Sequence, residues 1–413
     1  MVTTNGGAHA VEPGERLDRD DRNMIPVLGF TEYWYPALPA KMVRKHPRTW
    51  KMLGKDIVFF RGREKGAVAA IDPMCMHRNA SLTEGECHWR GTITCPYHGW
   101  TYNEAGVVVA CLNEGPNSTI PDTRPKTRTY PTRTLQGMVF VWMGEGVPAP
   151  IEEDVPPEFF RNDIPVKFHI DYWRGDWRAG AENGQDGHAT YLHRNCWRFG
   201  LQPNAFVGPG VGDRYRIVNN RAIRRVPAKE PLTIMSGKVK QEFPLLGHHW
   251  PKSLWRLWWA WSLEGFFKRN KKRTPLPEGV TLGEEWEGVT QHLPGQVRFV
   301  SFEGAYTRSM VPMDETISRQ VYFHWSPYAR NGLMRLFDKL HWAIYGTWKR
   351  SINFSQQDQR ANTLLKYGNQ EYLSPNDACV VAWRKLCTLA RGVEPLKAAK
   401  VKPEQELAET SAG

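Results

Sequence analysis

Two short segments of this chain pair a cysteine with a histidine: Cys75-Met-His77 and Cys95-Pro-Tyr-His98, with seventeen residues between His77 and Cys95. Two such mixed pairs suit a 2Fe-2S cluster with both cysteines on one iron and both histidines on the other, because imidazole in place of thiolate raises the reduction potential. A neutral histidine ligand also keeps one ring N–H free to donate a hydrogen bond outward. The same four residues could instead bind zinc, which accepts two cysteines and two histidines. Zinc sites more often join cysteine to cysteine and histidine to histidine, and Pro96 with Gly99-Trp100 favours the cluster. Cys87-His88 lies between the pairs as a competing ligand set. Neighbours along a strand point to opposite faces, so these two are poorly placed to share one metal.

A second constellation lies at residues 176–193, DWRAGAENGQDGHATYLH, where carboxylates lead into His188 and His193. Two imidazoles plus one carboxylate from elsewhere make a 2-His-1-carboxylate facial triad, which leaves positions open on Fe(II) for oxygen and substrate. Histidines five apart on a regular helix do not meet at one point, so a shared metal requires local unwinding, which Gly184 and Gly187 permit. The bland alternative is a solvated histidine pair on a polar helix.

CMHRNASL followed by CPYHGWTYNEAG resembles the Rieske loops of ring-hydroxylating and related oxygenases, and DWRAGAENGQD and AWRKL are similar to the carbazole dioxygenase-type branch of that family. The resemblance runs from about Trp34 to Leu386. It implies Cys75, His77, Cys95 and His98 as ligands of the 2Fe-2S cluster, and His188, His193 and Asp358 as ligands of a mononuclear Fe(II). Asp358 ends the stretch NFSQQD, 165 residues after His193. Asp186 would bridge, by hydrogen bonds, an iron-ligating histidine and a cluster-ligating histidine of a neighbouring subunit, with Asn183 beside it. Asp186 to His188 is two residues where the family's usual spacing is three, whereas the seven to His193 match the carbazole-type enzymes. The resemblance further implies a homotrimer that activates O2 and hydroxylates or dihydroxylates a small hydrophobic cyclic substrate. Electrons would come from NAD(P)H through a separate reductase, a ferredoxin or both, since the sequence has no nucleotide-binding glycine motif. A monooxygenase or demethylase acting on a steroid or terpenoid shares these motifs. Two other classes stay open: an electron-transfer protein using only the Rieske half, and a zinc-stabilised binding protein. About three irons per chain separates the oxygenase from both.

The elements that must position these residues follow from pattern. The chain has 413 residues, 41% hydrophobic and 24% charged, enough for two domains with their own cores. Residues 1–25 are polar and aperiodic and read as a mobile arm. From 26 to 148, short β-rich runs (DIVFF, AVAAID, GTITCPY, VVVACL, GMVFVWMG) alternate with Gly, Asn and Pro turns. Pro148 to Pro157 is proline-dense and acidic and reads as an extended, solvated linker. Residues 149–393 mix strand-like runs (GQVRFVSF, SRQVYFHW) with helical periodicity at 334–349 and 375–390, and 394–413 form a tail. The fold class is therefore α+β: an antiparallel β Rieske domain plus a catalytic domain with a curved antiparallel sheet flanked by helices. An insertion at 245–290 is tryptophan-rich, and 245–272 beside its basic run could lie against the core or touch a membrane surface peripherally. No apolar run is long enough to span a bilayer and no secretory leader is evident, so a cytoplasmic protein is expected. Seven cysteines argue against a disulfide framework. The formal charge of +12 is dispersed and no nucleic-acid motif accompanies it, so an acidic protein partner fits better than nucleic acid.

Overall fold

The computed structural model describes residues 10–11, 25–161, 163, 165–186, 192–193, 213–226, 284–301, 304–325, 332–346, 354–366, 371–374 and 377–393. The apolar runs of the N-terminal part become three small antiparallel sheets. One orders Arg48–Met52, Lys55–Arg61, Val68–Ile71 and Thr129–Tyr130. A second contains Thr92–Thr94, Trp100–Asn103 and Val108–Cys111, and a third joins Trp34–Pro39 to the hairpin Thr132–Leu135 and Met138–Trp142. Leu53-Gly54 and Gln136-Gly137 turn two of the hairpins with positive φ at both residues, the two-residue turn whose twist matches that of the strands.

The continuous apolar run in Lys55–Arg61 has a structural reason: the strand is buried on both faces. Ile57 and Phe59 enter a large core, whereas Val58 and Phe60 enter a small one that also holds Cys75, Cys95, Trp100 and Tyr102. Val68–Ile71 divides its side chains the same way. The candidate cluster loops thus stand on a core of their own.

The C-terminal part is one eight-stranded antiparallel sheet in the order Ala10–Val11, Arg214–Val218, Ala222–Val226, Val289–His292, Gln296–Ser301, Gly304–Pro312, Ile317–Trp325 and Lys167–Arg174. Among the described residues four helices accompany it: α1 (Trp177–Glu182), α2 (Gly332–His341), α3 (Gln356–Leu364) and α4 (Ala378–Cys387). Helix α4 packs on Arg214–Val218 and Ala222–Val226, while α3 packs on Lys167–Arg174 and α1. The helical stretch expected at 334–349 is α2 followed by a π turn at Trp342–Gly346, with 347–349 outside the described residues. The stretch expected at 375–390 is α4.

Two expectations need correction. Residues 148–157 are not a solvated spacer. Ile151–Glu153 and Pro157–Phe160 form single 3-10 turns that plant Ile151, Val155 and Phe159 in the large core, which runs without a break from Ile25 to Ala390. Asp154 is paired rather than solvated, accepting from Trp34 N at 2.9 Å and from Arg391, and Glu158 just beyond the segment meets Arg298 through two bonds of 2.7 and 3.0 Å. Within the expected mobile arm, Ala10 and Val11 pair with Arg216 and Tyr215 at the sheet edge, and Ile25 is buried. The rest of that arm, the tryptophan-rich segment 245–272 and the tail 394–413 lie outside the described residues. Among the described residues no helix is long and apolar enough to cross a membrane.

Candidate metal centres

The first centre is built by two loops that close on themselves. In the first, Cys75 N donates to Ala80 O and Asn79 N to Cys75 O. In the second, Cys95 N donates to Trp100 O and Gly99 N to Cys95 O. Gly99 is required there: its φ is +67° and a Cβ would stand 2.7 Å from Leu112 Cβ. The loops sort these side chains by type. Cys75 and Cys95 are 1% and 2% exposed and their thiols face each other, while the His77 and His98 rings sit together at the outer end, centroids 4.6 Å apart. His77 is stacked on Trp100 at 4.8 Å and 6°. Tyr102 Oη lies 3.1 Å from Cys75 Sγ and accepts from Met76 N, and the backbone N–H groups of Tyr97 and His98 point at the Cys95 sulfur. Burial pushes the bare Cys95 thiol up against those two donors.

This donor set fits a two-iron cluster. Sulfur ligands are paired on the dry side, imidazoles on the wet side, and N–H and O–H groups are already aimed at the sulfurs. Cys87-His88 stays apart: Cys87 packs on the small core with its thiol pushed up to about 11 by burial, and His88 Nε2 is 3.1 Å from Glu86 Oε2.

The second centre draws on residues far apart in sequence. Asp176 caps α1 by accepting from Arg178 N at 2.9 Å, and the helix stops at Glu182. Gly184 then passes so close to Gln296–Ser301 that a Cβ would lie 2.1 Å from Val297 Cγ2. This close approach brings Asn183 and Gln185 into burial and leaves Asp186 half-buried. His193 and Asp358, 1% and 3% exposed, meet with Nε2 3.2 Å from Oδ1. Two ligand atoms on adjacent vertices around one metal, each ~2.1 Å from it, stand about 3 Å apart, so the pair fits a shared metal. His188 lies outside the described residues.

Sequence reasoning missed the residues that support this pair. Gln357 Oε1 lies 3.2 Å from His193 Nδ1, and with Nδ1 as the donor, Nε2 is left as the ligand atom. Phe354 stacks on the imidazole at 3.7 Å and 16°. Arg308 Nη1 stands 3.5 Å from Asp358 Oδ2. Arg384 grips Glu182 through Nε–Oε1 at 2.7 Å and Nη2–Oε2 at 2.8 Å and also binds Glu371, fastening α4 to the end of α1. Phe354, Gln357, Glu182 and Arg384 all lie in stretches that carry the resemblance, NFSQQD, DWRAGAENGQD and AWRKL, but nothing in the sequence marked their roles, and Arg308 carried no local signal.

Residues 33–131 match the Rieske [2Fe-2S] domain family and residues 142–202 the homotrimeric ring hydroxylase family. The terminal oxygenase component of carbazole 1,9a-dioxygenase from Metapseudomonas resinovorans is 34% identical over 171 residues, 41% of this chain and 44% of that protein. Its counterpart from a Sphingomonas sp is 31% identical over 229 residues, 54% of this chain and 56% of that protein. The chain thus spans about half the length of these relatives in sequence. The oxygenase of the reduced oxygenase–ferredoxin complex of carbazole 1,9a-dioxygenase superposes with a TM-score of 0.66 at 22% identity, over 93% of this chain and 97% of that one. This likeness is one of fold.

Proposed function

We propose, from the premise that this chain is a Rieske-type terminal oxygenase, that it uses O2 to hydroxylate or dihydroxylate a small hydrophobic cyclic substrate. The observation that carries the reading is the buried meeting of His193 Nε2 and Asp358 Oδ1 in a chain whose Rieske loops sort two cysteines from two histidines. Cys75, Cys95, His77 and His98 hold the 2Fe-2S cluster, and His193, Asp358 and His188 hold the mononuclear iron. When bound, these groups supply one-electron transfer and oxygen activation.

The protein's own part is orientation and exclusion. Gln357 fixes the His193 tautomer, and Phe354 covers the imidazole face against water. Asp186 carries the hydrogen-bonded link from an iron-ligating histidine to a cluster-ligating histidine of the neighbouring subunit in a homotrimer, and Asn183 holds the turn beside it. The position of His77 and His98 at the outer end of the cluster loops supports such a link. Electrons come from NAD(P)H through a reductase and a ferredoxin, whose acidic surface would be steered by the chain's net charge of +12.

The test is an iron and acid-labile sulfide count on anaerobically purified, red-brown protein, followed by oxygen uptake with NADH and a reductase. About three irons and two sulfides per chain, with uptake only when substrate is present, supports the proposal. Two irons without oxygen uptake overturns it in favour of an electron carrier. Products from carbazole, dibenzofuran and a steroid, made under isotopically labelled O2, separate dioxygenation from the monooxygenase or demethylase alternative.

A further inference from the structure

Arg308 is a buried cation that the reading so far leaves without a task. It comes from Gly304–Pro312, in the interior of the eight-stranded sheet, with its guanidinium 4.6 Å over the Trp173 ring. Among the described residues its Nε has no hydrogen-bond partner, and its Nη1 stands 3.5 Å from Asp358 Oδ2. Holding a guanidinium in such a place costs free energy that a distant surface pair would not incur. The carboxylate it faces is divided: Oδ1 is turned to His193 and Oδ2 to Arg308.

We propose that Arg308 is a positioning residue for the mononuclear iron, holding Asp358 to coordination through one oxygen so that an adjacent position stays open. The inference rests on Asp358 being an iron ligand, as proposed above. An unrestrained carboxylate can chelate through both oxygens. A charged donor on Oδ2 competes for the second and leaves Oδ1 to the metal. The same positive charge makes the extra charge of Fe(III) harder to bear than that of Fe(II). Arg308 thereby favours the reduced iron with a vacant position.

The experiment uses the full chain loaded with cluster and iron, with nitric oxide as the probe of an open position on Fe(II), read by EPR. Arg308→Gln keeps its cluster absorbance and its iron, yet its nitric oxide affinity falls on the order of tenfold and the midpoint potential of its iron moves down. Arg308→Lys, which keeps a charged donor, recovers most of both. Parent-like affinity and potential in Arg308→Gln overturn the proposal, as does equal iron loss in Arg308→Gln and Arg308→Lys, which would mark a purely structural role. If Arg308→Gln does not fold, Arg308→Lys carries the test: parent-like iron content and affinity support it, and a tenfold loss overturns it. Asp358→Ala runs alongside. Iron retained in that variant removes the ligand assignment itself, a failure distinct from that of Arg308.

Discussion

Replacing Arg384 by methionine should cut the stability of the catalytic half without emptying the cluster. Arg384 is buried on α4 and bonds both oxygens of Glu182 and both of Glu371. Removing one partner of a buried ion pair costs about 3–5 kcal/mol, because the other charge is left without compensation. The two carboxylates differ in how far water can rescue them: the Glu371 side chain is 38% exposed and that of Glu182 only 13%. Glu182 therefore dominates, and the lower end, about 3 kcal/mol, is expected. For a unit of this size that is a fall in Tm of roughly 6–12 °C by calorimetry. The cluster stands on a separate core, so its absorbance should persist. Glu182→Gln combined with Arg384→Met removes the stranded charge and should recover much of the loss, giving a coupling that is far from additive. A fall below about 2 °C in Arg384→Met, or losses that simply add in the double variant, would refute the reasoning.

Three further outcomes are expected. Asp186→Ala should leave the cluster and the mononuclear iron in place, as metal analysis reads, while substrate-dependent oxygen uptake is lost; retained uptake removes the bridging role. Tyr102→Phe deletes the hydroxyl 3.1 Å from Cys75 Sγ. A donor to a ligating sulfur favours the more negative, reduced cluster, so its loss should lower the potential by roughly 60 mV, the one-electron equivalent of about 1.4 kcal/mol. Asp154 is pushed from the usual 3.8 up to about 7, by burial above all and against the Arg391 charge. Between those values the folded state holds a proton that the unfolded state has released, so stability falls as pH rises through that window and levels off above it. Tm measured from pH 4 to 8 should show this slope in the parent and a flatter line in Asp154→Asn; parallel profiles would show that Asp154 is not the titrating group.

What was legible in the sequence follows from how far each interaction reaches. The Rieske loops could be read because the cysteine and histidine of each pair lie within four residues and Gly99 turns the second loop directly after His98. The strands were legible from apolar runs, and Lys55–Arg61 shows why its run lacks alternation: both faces meet a core. Asp358 was accessible only through resemblance, since nothing near residue 193 points to it. Arg384 and Glu182 are 202 residues apart, and no periodicity marks a residue whose partner is set by tertiary packing. The segment 148–157 was misread for the same reason. Proline and acid content describe a solvated spacer only while nothing anchors the segment, and here Arg391 pairs Asp154 while Ile151 and Val155 enter the large core.

The two cores give this division a functional consequence. Cys75 and Cys95 belong to the small core, whereas α4 and the sheet behind the His193–Asp358 pair belong to the large one, which also takes in the segment after Pro148. A perturbation of the cluster loops is therefore absorbed locally, while a perturbation of Glu182, Asp154 or Glu158 is felt through a core that binds the N-terminal sheets to the catalytic sheet. The turn that carries Asn183 and Asp186 is held by Arg384 at one end and by the Gly184–Val297 contact in its middle, neither of which involves His193 or Asp358. Rigidity of that turn is then a property of packing, separable from metal loading. Variants at Arg384 or Gly184 should accordingly disturb electron delivery before they disturb the cluster.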